Sequence, residues 1–254
     1  MVMRWCRSMY ATIIYSSPRR YGHSRRVAEI MRELFREKGY ETDLYNVFEM
    51  NIKPCLGCVS DDVKLCRFPC VIDDDARKIF YSIDRSFGIV FISPIYWYNV
   101  PGPLKNLIDR LTVFENEIFI SGRSRLEGKV VGFVVIGNDT GATAVIQNLM
   151  AIMNSMGAVI PPWALAYYTG TKDPFEDRGF VLDIYNIVRS MDKMISLLRK
   201  EDGFSYKWYE ASEEALNKML ILKEKIDEKI SSENNLKGSD RIDHYMKNLM
   251  KKLL

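Results

Sequence analysis

Glutamine is all but missing from this chain. Gln147 is the only one, while Lys, Arg and Glu are plentiful. That leaning is seen in hyperthermophile proteins, and in such organisms intracellular disulfides become possible. No apolar run approaches the roughly eighteen residues that a membrane-spanning helix needs, so no membrane partner is expected. The opening residues, Met1-Val2-Met3-Arg4-Trp5-Cys6-Arg7, show no apolar segment of the signal-peptide kind, and a cytoplasmic location is expected. Charge of one sign is also lacking: 36 basic against 33 acidic residues leave a net +3. Bulk charge therefore gives no basis for nucleic-acid binding. Two common nucleotide signatures are missing too. No G-x-G-x-x-G follows the first apolar run, and Gly122 to Lys129 is one residue too long for a P-loop and leads into Val130 rather than Ser or Thr. No internal repeat or low-complexity segment is found.

What is present fits a globular chain with a sizeable core: 254 residues, 47% hydrophobic and 27% charged, enough for one large domain or one domain with an appendage. The organising stretch is Met9 to Lys38. An apolar run, Tyr10 to Tyr15, stops at the polar loop Ser16-Ser17-Pro18-Arg19-Arg20-Tyr21-Gly22-His23-Ser24. Val27, Ile30, Met31, Leu34 and Phe35 then recur at helical spacing, and Gly39 is placed to end that helix in a left-handed turn. A strand, a polar loop and a helix start in succession present unpartnered N–H groups and a positive dipole end, which attract an anion and above all a phosphate. Simple helix capping by Ser17 or Ser24 is the plainer reading of the same loop.

Further along, Glu41 to Val47 reads as a second strand, and Lys53 to Ile72 as an irregular cysteine-bearing loop. Asp73 or Asp74 is expected to cap a helix carrying Ala76, Ile79, Phe80 and Ile83. Gly88 to Ser93 and Val130 to Ile136 are continuous apolar runs suited to strands buried on both faces. Helices are expected from Leu104 to Leu111 and over Val145 to Met156, ending at Gly157. Trp163 to Tyr168, preceded by Pro161-Pro162, reads as an edge strand. This alternation means an α/β fold with a parallel sheet and helices on both faces. Beyond Thr171 the pattern becomes helical: Phe180 to Leu198, then Trp208 to Ile230, then a polar break at Ser231 to Asn235, then a stripe of Ile242, Tyr245, Met246, Leu249, Met250 and Leu253. Each stripe must bury itself against its own domain or a second subunit. The expected division is a nucleotide-binding domain over 1–200, with its cysteine loop at 53–72, and a helical C-terminal extension over 201–254.

In an open parallel sheet, ligands bind beyond the carboxyl ends of the strands where the winding reverses. Three loops leave such ends: Ser16 to Ser24, Pro94 to Pro103, and Gly137 to Ala142. The first suits a phosphate. The second carries Tyr96, Trp97 and Tyr98, which suit a flat ring system, and the third is small and glycine-bearing, so its backbone can approach a ligand closely. A phosphate at one end and a planar ring at the other describe a mononucleotide, and FMN fits best.

Four motifs then occur in a telling order: Ser17-x-Arg19-x-x-Gly22-x-Ser24, Ser93-Pro94-Ile95-Tyr96-Trp97, Leu104 to Arg110, and Gly128-Lys129 before a strand. Over roughly Met9 to Thr171 the chain resembles the flavodoxin-like NAD(P)H-dependent FMN reductases, and within them the branch of the iron–sulfur flavoproteins. The resemblance implies a flavodoxin-like three-layer sandwich, a five-stranded parallel sheet of order 2-1-3-4-5, and a homodimer or homotetramer. It implies that Ser17, Arg19, His23 and Ser24 hold the FMN phosphate. Pro94, Ile95, Tyr96, Trp97, Tyr98, Asn99 and Val100, with Gly137, Asn138, Asp139 and Thr140, are implied to flank the isoalloxazine. His23 stands where members usually have Asn.

Cys55, Cys58, Cys66 and Cys70 fall within sixteen residues, spaced C-x2-C-x7-C-x3-C; Cys6 is the only other cysteine. Four such thiolates suit a [4Fe–4S] cluster, a tetrahedral zinc ion or two disulfides. Iron–sulfur flavoproteins usually show C-x2-C-x2-C and a later fourth cysteine, whereas Asp61 occupies the third position here and Cys66 follows it. The expected function is an FMN-dependent oxidoreductase that takes electrons from NAD(P)H or another donor and passes them to a small-molecule or protein acceptor. Because the chemistry belongs to the cofactor, no protein acid, base or nucleophile is assigned as catalytic. A non-enzymatic flavodoxin-type carrier docking to protein partners is the alternative.

Overall fold

A computed structural model describes residues 9–236; the apolar stripe at 242–253 and Cys6 lie outside the described residues. Five strands form one all-parallel sheet: β1 (Met9–Tyr15), β2 (Tyr40–Asn46), β3 (Gly88–Pro94), β4 (Val130–Gly137) and β5 (Leu165–Thr169), in the order β2-β1-β3-β4-β5. The expected order and the edge position of β5 are both found. The sheet is in register from Ala11↔Gly88 across to Gly88↔Val130, so the carboxyl ends of β1, β3 and β4 finish along one rim.

Why the central strands carry no alternation is plain from the packing: both faces are covered. One core gathers Ile14, Phe91 and Phe133 under α2 (Ala76–Arg85), α3 (Gly102–Arg110) and α6 (Ala142–Ser155). The other gathers Ile13, Ile92 and Val134 under α1 (His23–Glu37) and α7 (Arg178–Lys200). Odd and even residues of each strand thus point into different cores, and nearly every position is apolar, with the hydrogen-bonded Thr12 and Ser93 as buried exceptions. α7 buries Ile184, Ile187, Val188 and Met191 against its own domain, which settles where that stripe goes. Gly132 is required beneath it, because an added Cβ would lie 2.7 Å from Met191 Sδ.

Two short helices, α4 (Thr112–Glu115) and α5 (Glu117–Ser121), occupy a stretch with no clear periodicity in the sequence. At the start of α2 the cap is shared: Asp75 holds the N-cap position, while Asp74 Oδ1 accepts the Ala76 N–H at 3.1 Å.

The chain divides between Tyr209 and Glu210. Trp208 does not begin a helix; its indole N–H donates to the Gly203 carbonyl and its backbone N–H to Glu127, within the first unit. In the second unit, α8 (Glu213–Leu236) continues through the expected break at Ser231 to Asn235. Ser and Asn are only mildly unfavourable in a helix, so the polar run does not stop it. Among the described residues no helix is long and apolar enough to cross a membrane.

Candidate active site

The β1–α1 loop is built by its own polar groups. Ser17 Oγ accepts the Arg19 N–H and donates to the Arg19 carbonyl, both at 3.2 Å, which folds the loop back on itself. Gly22 has to be glycine here, because an added Cβ would lie 2.9 Å from Ser17 Oγ. Gly22 is also the N-cap of α1 and supplies no side-chain oxygen, and the first turn contains no acid. The helix therefore starts with no side-chain cap and no acid of its own first turn to meet its N–H groups. Among the described residues no carboxylate pairs with Arg19 or Arg20. Ser16, fully buried at the head of the loop, keeps a hydroxyl with no hydrogen-bond partner.

The β3–α3 loop makes a two-residue hairpin turn. Tyr96 and Asn99 exchange backbone bonds at 2.9 and 3.0 Å. Trp97 and Tyr98 between them sit at φ +50° and +63°, a conformation that glycine and asparagine adopt more readily. The turn lifts the indole of Trp97 out to 94% exposure. Tyr98 is tied to the β4–α6 loop by a 3.1 Å bond between its hydroxyl and Thr140 Oγ1. Its ring also rests on Gly141, where an added Cβ would meet Tyr98 Cδ1 at 2.9 Å. Gly137 likewise admits the Ile95 side chain, 2.5 Å from where a Cβ would stand.

The three loops wall a single cavity of about 700 Å³ at the strand ends, within the range of small-molecule sites. Ser17, Arg19, His23, Ser24, Pro94, Ile95, Tyr96, Trp97, Tyr98, Gly137, Asn138, Asp139 and Thr140 all line it. Asn99 and Val100 do not: Asn99 closes the turn, and Val100 is buried in the core beneath. Arginines at one end, aromatic rings at the other and an uncapped helix start suit a phosphorylated planar ligand such as FMN.

Some contributors carry no mark in the linear sequence. Asn46, the last residue of β2, brackets Ser17 by accepting its N–H at 3.2 Å and donating to its carbonyl at 3.0 Å. Asp173 bonds Arg26 at 2.7 Å and approaches His23 Nδ1 to 4.0 Å. The Arg26 hydrogen bond, with the Phe175 N–H, holds the Asp173 carboxyl below the usual range. Only the polar character of a strand's last residue hinted at the first of these.

Cys55, Cys58, Cys66 and Cys70 line one small apolar cavity with Leu56, Leu65, Val71, Ile72 and Val113. None of the four is joined in a disulfide. Burial first, and then the neighbouring thiols, push Cys66 up to about 11. Gly57 at φ +70° and Cys70 at φ +85° turn the backbone tightly around the cavity. The loop is pinned by Asn116, whose amide N–H groups reach the Val63 and Cys66 carbonyls, both at 2.6 Å. Among the described residues no group of three or more His, Cys, Asp or Glu side chains is placed to hold a metal ion.

Sheet order and cavity position together define a flavodoxin-like mononucleotide-binding protein. Residues 9–170 match the family described as NADPH-dependent FMN reductase. The chain belongs to that family, and it is an FMN-dependent oxidoreductase. It is 29% identical to an iron-sulfur flavoprotein of Methanosarcina thermophila over 60% of this chain and 76% of that one. A second iron-sulfur flavoprotein, from Methanocaldococcus jannaschii, is 28% identical over 74% of this chain and 97% of its own. Among solved structures, RosB with a bound 8-demethyl-8-formylriboflavin-5'-phosphate intermediate superposes with a TM-score of 0.65 at 18% identity, covering 85% of this chain and 87% of that one. An NAD(P)H:quinone oxidoreductase from Methanothermobacter marburgensis gives 0.52 at 16% identity, covering 74% and 98%. At such identities the structural likeness speaks for the fold alone.

Proposed function

We propose that the cavity at the strand ends binds FMN, with Ser17, Arg19, His23 and Ser24 at the phosphate and the Pro94 to Tyr98 and Gly137 to Thr140 loops against the ring. The observation that carries this reading is the convergence of the three loops on one cavity. When bound, FMN supplies two-electron hydride acceptance from NAD(P)H and one-electron release to an acceptor. The chain's own part is binding and orientation. Arg19 and the start of α1 neutralise the phosphate. The Asp173 carboxylate lies 4.0 Å from His23 Nδ1, near enough to attract a charged imidazole without a hydrogen bond. Tyr96 and Trp97 pack beside the ring, and the backbone at Gly137 lies close to it.

The four cysteines hold a [4Fe–4S] cluster, which exchanges single electrons. Ile72 and Val113 add apolar side chains to the wall of such a site. α3 begins just after the aromatic turn and leads to the cysteine cavity, which Arg110, Thr112 and Val113 help to line. The two sites therefore share one rigid element. The assembly is a dimer or tetramer in the cytoplasm, with residues from Glu210 onward as a helical extension, and the acceptor is a small molecule or a protein.

A visible spectrum of protein purified without oxygen tests the reading. Flavin bands with a broad brown shoulder that bleaches on reduction are expected. Flavin bands alone would remove the cluster, and a colourless protein that takes up no added FMN would remove the whole assignment. NADPH and NADH oxidation by the loaded enzyme then identifies the donor.

A further inference from the structure

Arg110 is buried as few arginines are: its side chain and that of its partner Asp74 are both fully shielded from solvent. Nη1 donates to Asp74 Oδ2 at 2.5 Å and to the Lys53 carbonyl at 3.4 Å, and Nη2 donates to the Ile72 carbonyl at 3.3 Å. The Phe80 ring lies 5.5 Å from Cζ. Nε is different. It is buried and has no acceptor, and Arg110 forms part of the wall of the cavity that the four cysteines line. An arginine donor left unsatisfied in the interior is costly unless an acceptor meets it, and the other side-chain heteroatoms on the wall are the four cysteine sulfurs and the Thr112 hydroxyl, which already bonds the Asp109 carbonyl.

We propose that Arg110 is a positioning residue of the cysteine cavity, whose Nε–H donates to a sulfur of an iron–sulfur cluster bound there. The inference rests on the reading of that cavity as a cluster site. A hydrogen bond to sulfur favours the more negative, reduced cluster and so raises its reduction potential. Asp74 acts in the opposite sense, because it offsets the guanidinium charge at the wall. Arg110 thus serves two ends. It ties the loop carbonyls of Lys53 and Ile72 on either side of the cysteines, and it sets the electrostatics of what they hold.

The test uses full-length protein reconstituted anaerobically with ferrous iron, sulfide and FMN. Wild-type protein is first assayed for bound iron and sulfide; their absence would sink the cluster reading and this inference with it. With the cluster present, Arg110→Lys, which keeps the charge and loses the Nε–H donor, is expected to lower the cluster midpoint potential. Asp74→Asn, which leaves the guanidinium uncompensated, is expected to raise it. The FMN midpoint should stay in place in both. A merely structural role predicts weaker folding without movements of opposite sign. Unmoved cluster potentials, or shifts in the same direction, would overturn the inference while leaving the cluster itself established. If Arg110→Lys fails to fold, the Asp74→Asn potential still decides.

Discussion

Asn46 holds Ser17 from both sides, its Oδ1 accepting the Ser17 N–H at 3.2 Å and its Nδ2 donating to the Ser17 carbonyl at 3.0 Å. The grip joins the end of β2 to the β1–α1 loop, and it is available because Tyr15 and Asn46 are partners in the parallel register. Replacing Asn46 with Ala removes both bonds. At about 1 kcal/mol each, FMN affinity should fall roughly 30-fold while the sheet remains folded. Fluorescence quenching of FMN on titration with apoprotein measures this; unchanged affinity would mean that the loop is held without Asn46.

The aromatic turn stores backbone strain. Trp97 and Tyr98 occupy left-handed conformations, each of which costs an ordinary residue about 1–2 kcal/mol. Since Trp97 is almost wholly exposed, little packing is lost on changing it. Trp97→Asn should leave apoprotein stability level or raise it by up to about 1 kcal/mol, yet weaken FMN binding. Chemical denaturation and flavin titration of the same preparation separate the two effects, and a clear loss of stability would contradict the strain account.

Gly141 has two reasons to be glycine, a φ of +96° and a Tyr98 ring that would lie 2.9 Å from a Cβ. Gly141→Ala should destabilise the protein by about 1–3 kcal/mol. It should also loosen the Tyr98–Thr140 contact that joins the second and third loops. A lowered Tm together with weaker flavin retention is expected. Retention unaffected by the substitution would show that the two loops hold the ring independently.

Lys129 gives a pH signature. Its ammonium is buried and donates to the Asp84 and Ser86 carbonyls, both at 2.8 Å. Burial pushes its pKa down to about 8, against which the Asp84 charge works only partly. Below pH 8 both the native and the unfolded chain bind this proton, and the full cost of the buried charge is present. Between about pH 8 and the ordinary lysine value near 10.4, only the unfolded chain keeps the proton, so native stability rises with pH. Urea unfolding should show wild type gaining about 3 kcal/mol relative to Lys129→Met over that interval. Parallel curves for the two proteins would refute the depressed pKa.

Local chemistry made much of the site legible in advance. Gly22, the hydroxyls and arginines near it, and the aromatic trio are types whose properties act where they stand: freedom of backbone, charge, flatness. What could not be read was which residue would be brought alongside. Asn46 matters because β2 pairs with β1, and Asp173 because the segment before α7 passes the start of α1; both effects depend on residues far apart in the chain. Asn99 stands apart from the cavity for a related reason. Its neighbours in sequence face the cavity, but a hairpin turn reverses direction, and the fourth residue closes it instead of lining the site.

The same distinction governs the whole molecule. Alternating apolar runs and helical stripes sufficed to determine a parallel α/β sheet with ligand loops at one rim, because burial on two faces forces an unbroken hydrophobic code. Four cysteines within one loop likewise announced a shared purpose. Tertiary structure alone decided that their cavity is walled by an arginine from the far end of α3, that Nε of this arginine lacks an acceptor, and that α7 closes the second face of the sheet. Those outcomes come from packing between distant segments, where the energy lies in juxtaposition and no single stretch of chain contains it.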